Sequence, residues 1–182
     1  MINNGVVFGR FQPLHKGHIE HILTAKSKCN HLYVGITNPD PSMTKEDKTN
    51  IERSKAKNNP FTYYERYQMI EKLLISNNIA NAQFTIIPFP LHDQHLIKYY
   101  CPLDSNFYIS IYEKWGVRKK EILEGYKLNV EVMYNYPEAN RMISGSKIRE
   151  NLLTNTSWIE DVPKTTLEVI NKIDLVERFK EL

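Results

Sequence analysis

The passage from Val6-Val7-Phe8 through Gly9 into apolar residues at Ile19, Ile22, Leu23 and Ala25 narrows the folds open to this chain more than any other feature. A short apolar run, a glycine and then helical spacing read as strand, loop and helix. Leu32-Tyr33-Val34-Gly35-Ile36 follows, short and rich in β-formers, and reads as the next parallel strand. Further strands are expected at Phe84 to Pro88, Phe107 to Ile111 and Val130 to Tyr134, with helical pieces around Asp93 to Tyr100 and Arg118 to Glu124. Strand and helix alternate throughout, which predicts an α/β fold: a doubly wound parallel sheet of five to six strands, covered on both faces.

The 182 residues, 41% apolar, suffice for one domain with a continuous core. We read 1–155 as the sheet-bearing core and 156–182 as a C-terminal helical segment, with Leu167, Ile170, Ile173 and Phe179 at roughly helical spacing between Thr165 and Leu182. Another helix is expected over Ser146 to Leu153. Residues 38–59 turn to Pro, Ser, Thr, Asn and Lys, the composition of a long loop, and long loops in compact domains often serve as lids. After it, Thr62 and Glu65 have capping-box spacing at a helix entry, with Tyr67, Ile70, Leu73 and Leu74 as the buried stripe.

Basic and acidic residues number 24 and 21, a net charge of +3, so nothing calls for a nucleic-acid or membrane partner. Cys29 and Cys101 stand far apart, without disulfide-framework or zinc spacing, and read as reduced thiols. Neither a signal-peptide pattern nor an apolar run of membrane-spanning length is present, so a cytoplasmic protein is expected, with homo-oligomer formation left open.

The chemistry gathers in two segments. Gly9-Arg10-Phe11-Gln12-Pro13-Leu14-His15-Lys16-Gly17-His18 lies where the first strand hands over to the first helix. Backbone N–H groups and the dipole at a helix N-terminus favour anions, Gly9 and Gly17 permit close approach, and Arg10 and Lys16 bring positive charge. His15 and His18 are also common ligand types for metals, but no further ligand is suggested nearby, and alone a His-x-x-His spacing is mostly incidental. Ile143-Ser144-Gly145-Ser146-Lys147-Ile148-Arg149 is the second segment, with hydroxyls and backbone donors for phosphate oxygens and Arg149 or Lys147 for charge. By itself Ser-Gly-Ser is no more than a plausible helix cap.

Together these segments resemble the HxGH nucleotidyltransferase superfamily, and within it the archaeal-type nicotinamide mononucleotide adenylyltransferases. The residues that carry the resemblance are Gly9 to His18, Asn59 to Arg66 and Ser144 to Arg149. It implies a Rossmann-like fold in which an acceptor's phosphate oxygen attacks the α-phosphorus of a nucleoside triphosphate in line, releasing pyrophosphate. His18, His15 and Arg10 would be catalytic. Gly9, Arg10, Phe11, His15, Gly17, His18, Ser144, Gly145, Ser146 and Arg149 would bind the nucleotide, with Mg²⁺ as cofactor, held mainly by substrate phosphates rather than by protein ligands.

Departures from that pattern concentrate at the acceptor end. Tyr63 and Tyr64 stand where small residues are usual, the 39–57 loop is long, and Phe107 to Gly116 replaces a Gly-Asn-Pro type of turn. Lys45, Lys48, Arg66 and Trp115 are candidates for acceptor or lid contacts. A solvated loop and a core tryptophan explain several of them equally well, and the histidines of His92-Asp93-Gln94-His95 are as readily surface residues. Transfer of AMP from ATP to nicotinamide or nicotinate mononucleotide is the leading expectation. The alternatives are CTP-dependent transfer to a phospho-alcohol, phospho-sugar or phosphonate, and a nucleotide-sensing module without catalysis.

Overall fold

The structure, a computed structural model, describes residues 2–46, 51–112, 114–135, 143–154 and 156–182. Its centre is a five-stranded parallel sheet of β1 (Ile2–Gly9), β2 (Cys29–Ile36), β3 (Phe84–Pro88), β4 (Asn106–Ile111) and β5 (Asn129–Asn135), in the order β3-β2-β1-β4-β5. Helices α1 (Lys16–Lys28), α2 (Tyr63–Ser76), α3 (Lys114–Gly125), α4 (Gly145–Leu153), α5 (Lys164–Ile170) and α6 (Leu175–Glu181) complete it. The doubly wound, Rossmann-like α/β architecture is the expected one.

Alternation along the strands builds a core on each face. In β1, Val7 joins Leu14, Ile22, Val34, Ile70 and Leu74 on one side, whereas Val6 and Phe8 join Phe89, Phe107, Ile109, Trp115 and Leu123 on the other. A period of two does this: successive strand side chains point to opposite faces. Thr62 caps α2 as read, its hydroxyl accepting from Glu65 N at 3.2 Å while Glu65 Oε2 accepts from Thr62 N at 2.8 Å.

The strand order reverses between β1 and β4, and there the sheet opens. β1 pairs with β2 from Ile2 to Gly9 but with β4 only at Gly5↔Asn106 and Val6↔Phe107. Beyond Val6 the ladder ends, leaving a crevice at the carboxyl ends of the two central strands, where open α/β sheets bind ligands. A register shift between Ile109 and Ser110 also re-aims the end of β4 beside this crevice.

One expectation needs correction. The C-terminal segment is not one helix, because the chain breaks after Ile170 and restarts at Leu175, with the Asp174 carboxylate capping α6 through Glu177 N at 3.0 Å. The helical piece expected around Asp93 to Tyr100 is present as a 3₁₀ helix over Gln94–Tyr99, a tighter coil used in short pieces. No helix among the described residues is long and apolar enough to cross a membrane.

Candidate active site

At the crevice the two sequence segments come together. A cleft of about 960 Å³, of ligand-binding size, is lined by Gly9, Arg10, His15, Lys16, Gly17 and His18 from one segment and by Ile143, Ser144, Gly145, Ser146 and Arg149 from the other. Helices α1 and α4 both begin on it, so two sets of N-terminal N–H groups face one space. Ser144 is the N-cap of α4, its hydroxyl accepting from Lys147 N at 3.2 Å.

Arg149, 5% exposed, joins the segments directly. Its Nη1 donates to the Gln12 carbonyl at 2.6 Å, and Nη2 donates to Asn58 Oδ1 at 2.9 Å and Ser146 Oγ at 3.3 Å. Burial, and then the nearby Arg53 charge, lower its pKa to about 10, so it stays cationic at neutral pH. Gly145 is demanded by this approach: a Cβ there would lie 2.8 Å from the Gln12 carbonyl oxygen. A Cβ on Gly17 would lie 3.2 Å from the His15 ring.

The His18 ring stacks on His15 at 3.7 Å and meets Phe11 edge-on at 4.9 Å. Its Nδ1 accepts from the His15 backbone N–H at 3.3 Å, which places the proton of the neutral ring on Nε2 as a donor. That is the atom a developing negative charge in the cleft would need.

Arg10 lines the cleft, while its Nη1 also donates to the carbonyls of Arg53 at 3.0 Å and Asn58 at 3.3 Å. Trp115 is 6% exposed yet lines the cleft, so it is both core and wall. Lys45 pairs with Asp93 at 2.6 Å, fastening the long loop, and Lys48 lies outside the described residues. Two of the expected residues, Phe11 and Arg66, are absent from the cleft lining. Phe11, expected at the nucleotide, is 3% exposed and away from the cleft lining; with φ 50° it turns its ring into the core against His18. Arg66, expected at the acceptor or lid, is 1% exposed and wholly engaged with backbone carbonyls, among them Arg10 at 3.0 Å, Thr37 at 2.8 Å and Asn38 at 2.8 Å.

Other residues matter that sequence reasoning did not select. The Gln12 amide clasps Phe61, donating to its carbonyl and accepting from its N–H, both at 2.9 Å, and so joins the first segment to Asn59-Pro60-Phe61-Thr62. Lys119 lines the cleft from α3, with no local signal beyond charge. His21, one turn after His18 on α1, also lines it and shares a 2.9 Å hydrogen bond with Ser110 Oγ.

Burial and then the Lys119 charge push the His21 pKa down to about 4 from 6.5. Between those values the unfolded chain binds a proton that the folded chain refuses, so folding stability falls as pH drops from 6.5 towards 4. Urea denaturation at a series of pH values should show His21→Asn losing less stability than the parent over this window, by on the order of 2 kcal/mol. Parallel slopes for the two proteins would contradict it.

The cytidylyltransferase-like family model matches residues 6–151. A phosphonoformate cytidylyltransferase of Streptomyces viridochromogenes is 35% identical over 97% of this chain and 95% of its own length. Nicotinamide-nucleotide adenylyltransferases are similar too: that of Thermoplasma acidophilum is 30% identical over 97% of this chain and 89% of its own, and that of Thermococcus kodakarensis 27% over 100% and 89%. Among solved structures, a bifunctional NMN adenylyltransferase/ADP ribose pyrophosphatase from Francisella tularensis, complexed with AMP and a Mn ion, shares the fold with a TM-score of 0.65 at 17% identity. That alignment covers 100% of this chain and 52% of the other, so the chain spans about half that bifunctional protein's length. With its family match running from β1 into α4, through both cleft-forming segments, this chain belongs to the cytidylyltransferase-like family of nucleotidyltransferases.

Proposed function

We propose that this nucleotidyltransferase transfers a cytidylyl group from CTP to a compact, multiply anionic acid bearing a phosphonate or phosphate oxygen. The observation that carries this reading is a recess of about 40 Å³ opening beside the main cleft at Gly9 and Arg10. Arg10, Lys45, Arg53 and Lys119 line it, and Lys45 also pairs with Asp93. Such a space holds roughly three waters or one small anionic group, and its cations would attract one. The relative named for phosphonoformate, matched at 35% identity and over nearly its full length, supports the same acceptor class and donor.

In this reading the acceptor oxygen attacks the α-phosphorus of CTP, the α–β bridging bond breaks, and pyrophosphate leaves. His18 Nε2–H stabilises the charge that builds on the α-phosphate, while Ser144, Ser146 and Arg149 hold the distal phosphates. Guanidinium and backbone N–H groups are donors that suit phosphate rather than a cation. Among the described residues no three His, Cys, Asp or Glu side chains converge into a metal cage. Mg²⁺ is therefore proposed to arrive on the triphosphate, where it would neutralise the leaving pyrophosphate.

A second reading, AMP transfer from ATP to nicotinamide mononucleotide, draws support from the three ordered motifs and from relatives at 27–30% identity. It ranks first on sequence alone. The size and charge of the recess turn the preference. Pyrophosphate release measured with CTP or ATP, each against phosphonoformate and nicotinamide mononucleotide, tests the choice. Turnover should be greatest with CTP and phosphonoformate, and faster turnover of ATP with nicotinamide mononucleotide would overturn the proposal.

A further inference from the structure

Arg149 sits in a cage of neutral oxygens. Among the described residues three acceptors hold it: the Gln12 carbonyl at 2.6 Å, Asn58 Oδ1 at 2.9 Å and Ser146 Oγ at 3.3 Å. Gln12 and Ser146 belong to the two phosphate-facing segments. Asn58 belongs to neither. It ends the short 3₁₀ turn Ala56–Asn58 of the long loop and lines the same cleft, half-buried.

Hydrogen-bond chemistry fixes which way the Asn58 amide points. A guanidinium only donates, so the carbonyl end of the amide faces Arg149 and its NH₂ end turns back to the loop. There Nδ2 donates to the Glu52 carbonyl at 2.8 Å. The Asn58 backbone is tied as well, its N–H donating to the Lys55 carbonyl at 3.0 Å and its own carbonyl accepting from Arg10 Nη1 at 3.3 Å. A braced amide thus meets the tip of a long side chain whose rotamers would otherwise have to be fixed at the moment of binding, at a cost in affinity. A carboxylate in its place would also accept from Nη2, but as an ion pair it would cancel the charge that attracts a triphosphate.

We propose that Asn58 is a positioning residue for the nucleotide: it holds the Arg149 guanidinium in place for the distal phosphates and, being an uncharged amide, does so without neutralising it. This rests on the reading of Arg149 as a ligand of the distal phosphates, and it adds a loop residue outside both segments that governs that contact.

The test compares CTP with CMP, which lacks the distal phosphates, as dissociation constants measured by calorimetry on the full chain with Mg²⁺. Asn58→Ala should weaken CTP by about 10-fold, the span of one hydrogen bond to a charged group, and scarcely change CMP. Asn58→Asp should weaken CTP by about 100-fold, because its carboxylate both neutralises Arg149 and repels the triphosphate, with a far smaller effect on CMP. Arg149→Gln is the control and should also lose CTP selectively. If it does, while the Asn58 variants keep the parental ratio of the two constants or Asn58→Asp binds CTP as well as Asn58→Ala, the inference fails and the reading of Arg149 stands. If Arg149→Gln leaves the ratio untouched, that reading is overturned and the inference with it. A parent that binds ATP in place of CTP is tested with ATP and AMP in the same way, because the base plays no part.

Discussion

Replacing His18 with alanine is expected to lower kcat by about 100- to 1000-fold, the usual effect of deleting one donor to developing charge. The urea midpoint should scarcely move. His18 is only partly buried and lies outside both cores, so its removal leaves no core cavity. The expected loss is in kcat because, in the proposed reaction, His18 meets charge that appears during transfer, whereas Ser144, Ser146 and Arg149 would bind phosphates already charged in the ground state. His18→Gln, whose amide presents an N–H at a similar reach, should fall between alanine and the parent. Near-parental turnover by purified His18→Ala would remove this residue from the chemistry.

The features legible in the sequence were those written locally. Strands β1 to β5 follow from short β-forming runs, and the Thr62–Glu65 capping box from two residues three apart. Both phosphate-facing segments could be picked out because glycine, histidine and hydroxyl residues crowd into a few positions next to helix starts. Their meeting in one cleft was implied only by the family resemblance, because the Arg149–Gln12 contact spans 137 residues.

What escaped reading depends on partners far along the chain. Asn58 was one of several polar loop residues until its amide and its carbonyl met Arg149 and Arg10. Phe11 looks like a pocket residue in the motif, yet at φ 50° its ring is 3% exposed and packs in the core. The broken C-terminal helix did carry a local signal, since Asp174 and Glu177 have the spacing of a helix start. Amphipathic spacing on both sides of that start hid it.

Arg66 shows how the same distance hides a structural role, and its removal should be the most damaging single change to folding. Its Nε donates to Thr62 O at 3.0 Å, Nη1 to Arg10 O at 3.0 Å and Thr37 O at 2.8 Å, and Nη2 to Asn38 O at 2.8 Å and Pro39 O at 3.3 Å. Five carbonyls from the first segment, the end of β2 and the start of α2 thus converge on one guanidinium. Burial lowers its pKa to about 10, and it remains charged at neutral pH. Alanine would strand those carbonyls in a site 1% exposed and leave a void, a loss on the order of 4 kcal/mol. Lysine keeps a charge but offers three donors in place of a planar fork, so it should recover only a minor part. Urea denaturation of the alanine, lysine and parental proteins measures this, and an alanine variant within about 1 kcal/mol of the parent would show that the carbonyls find other donors.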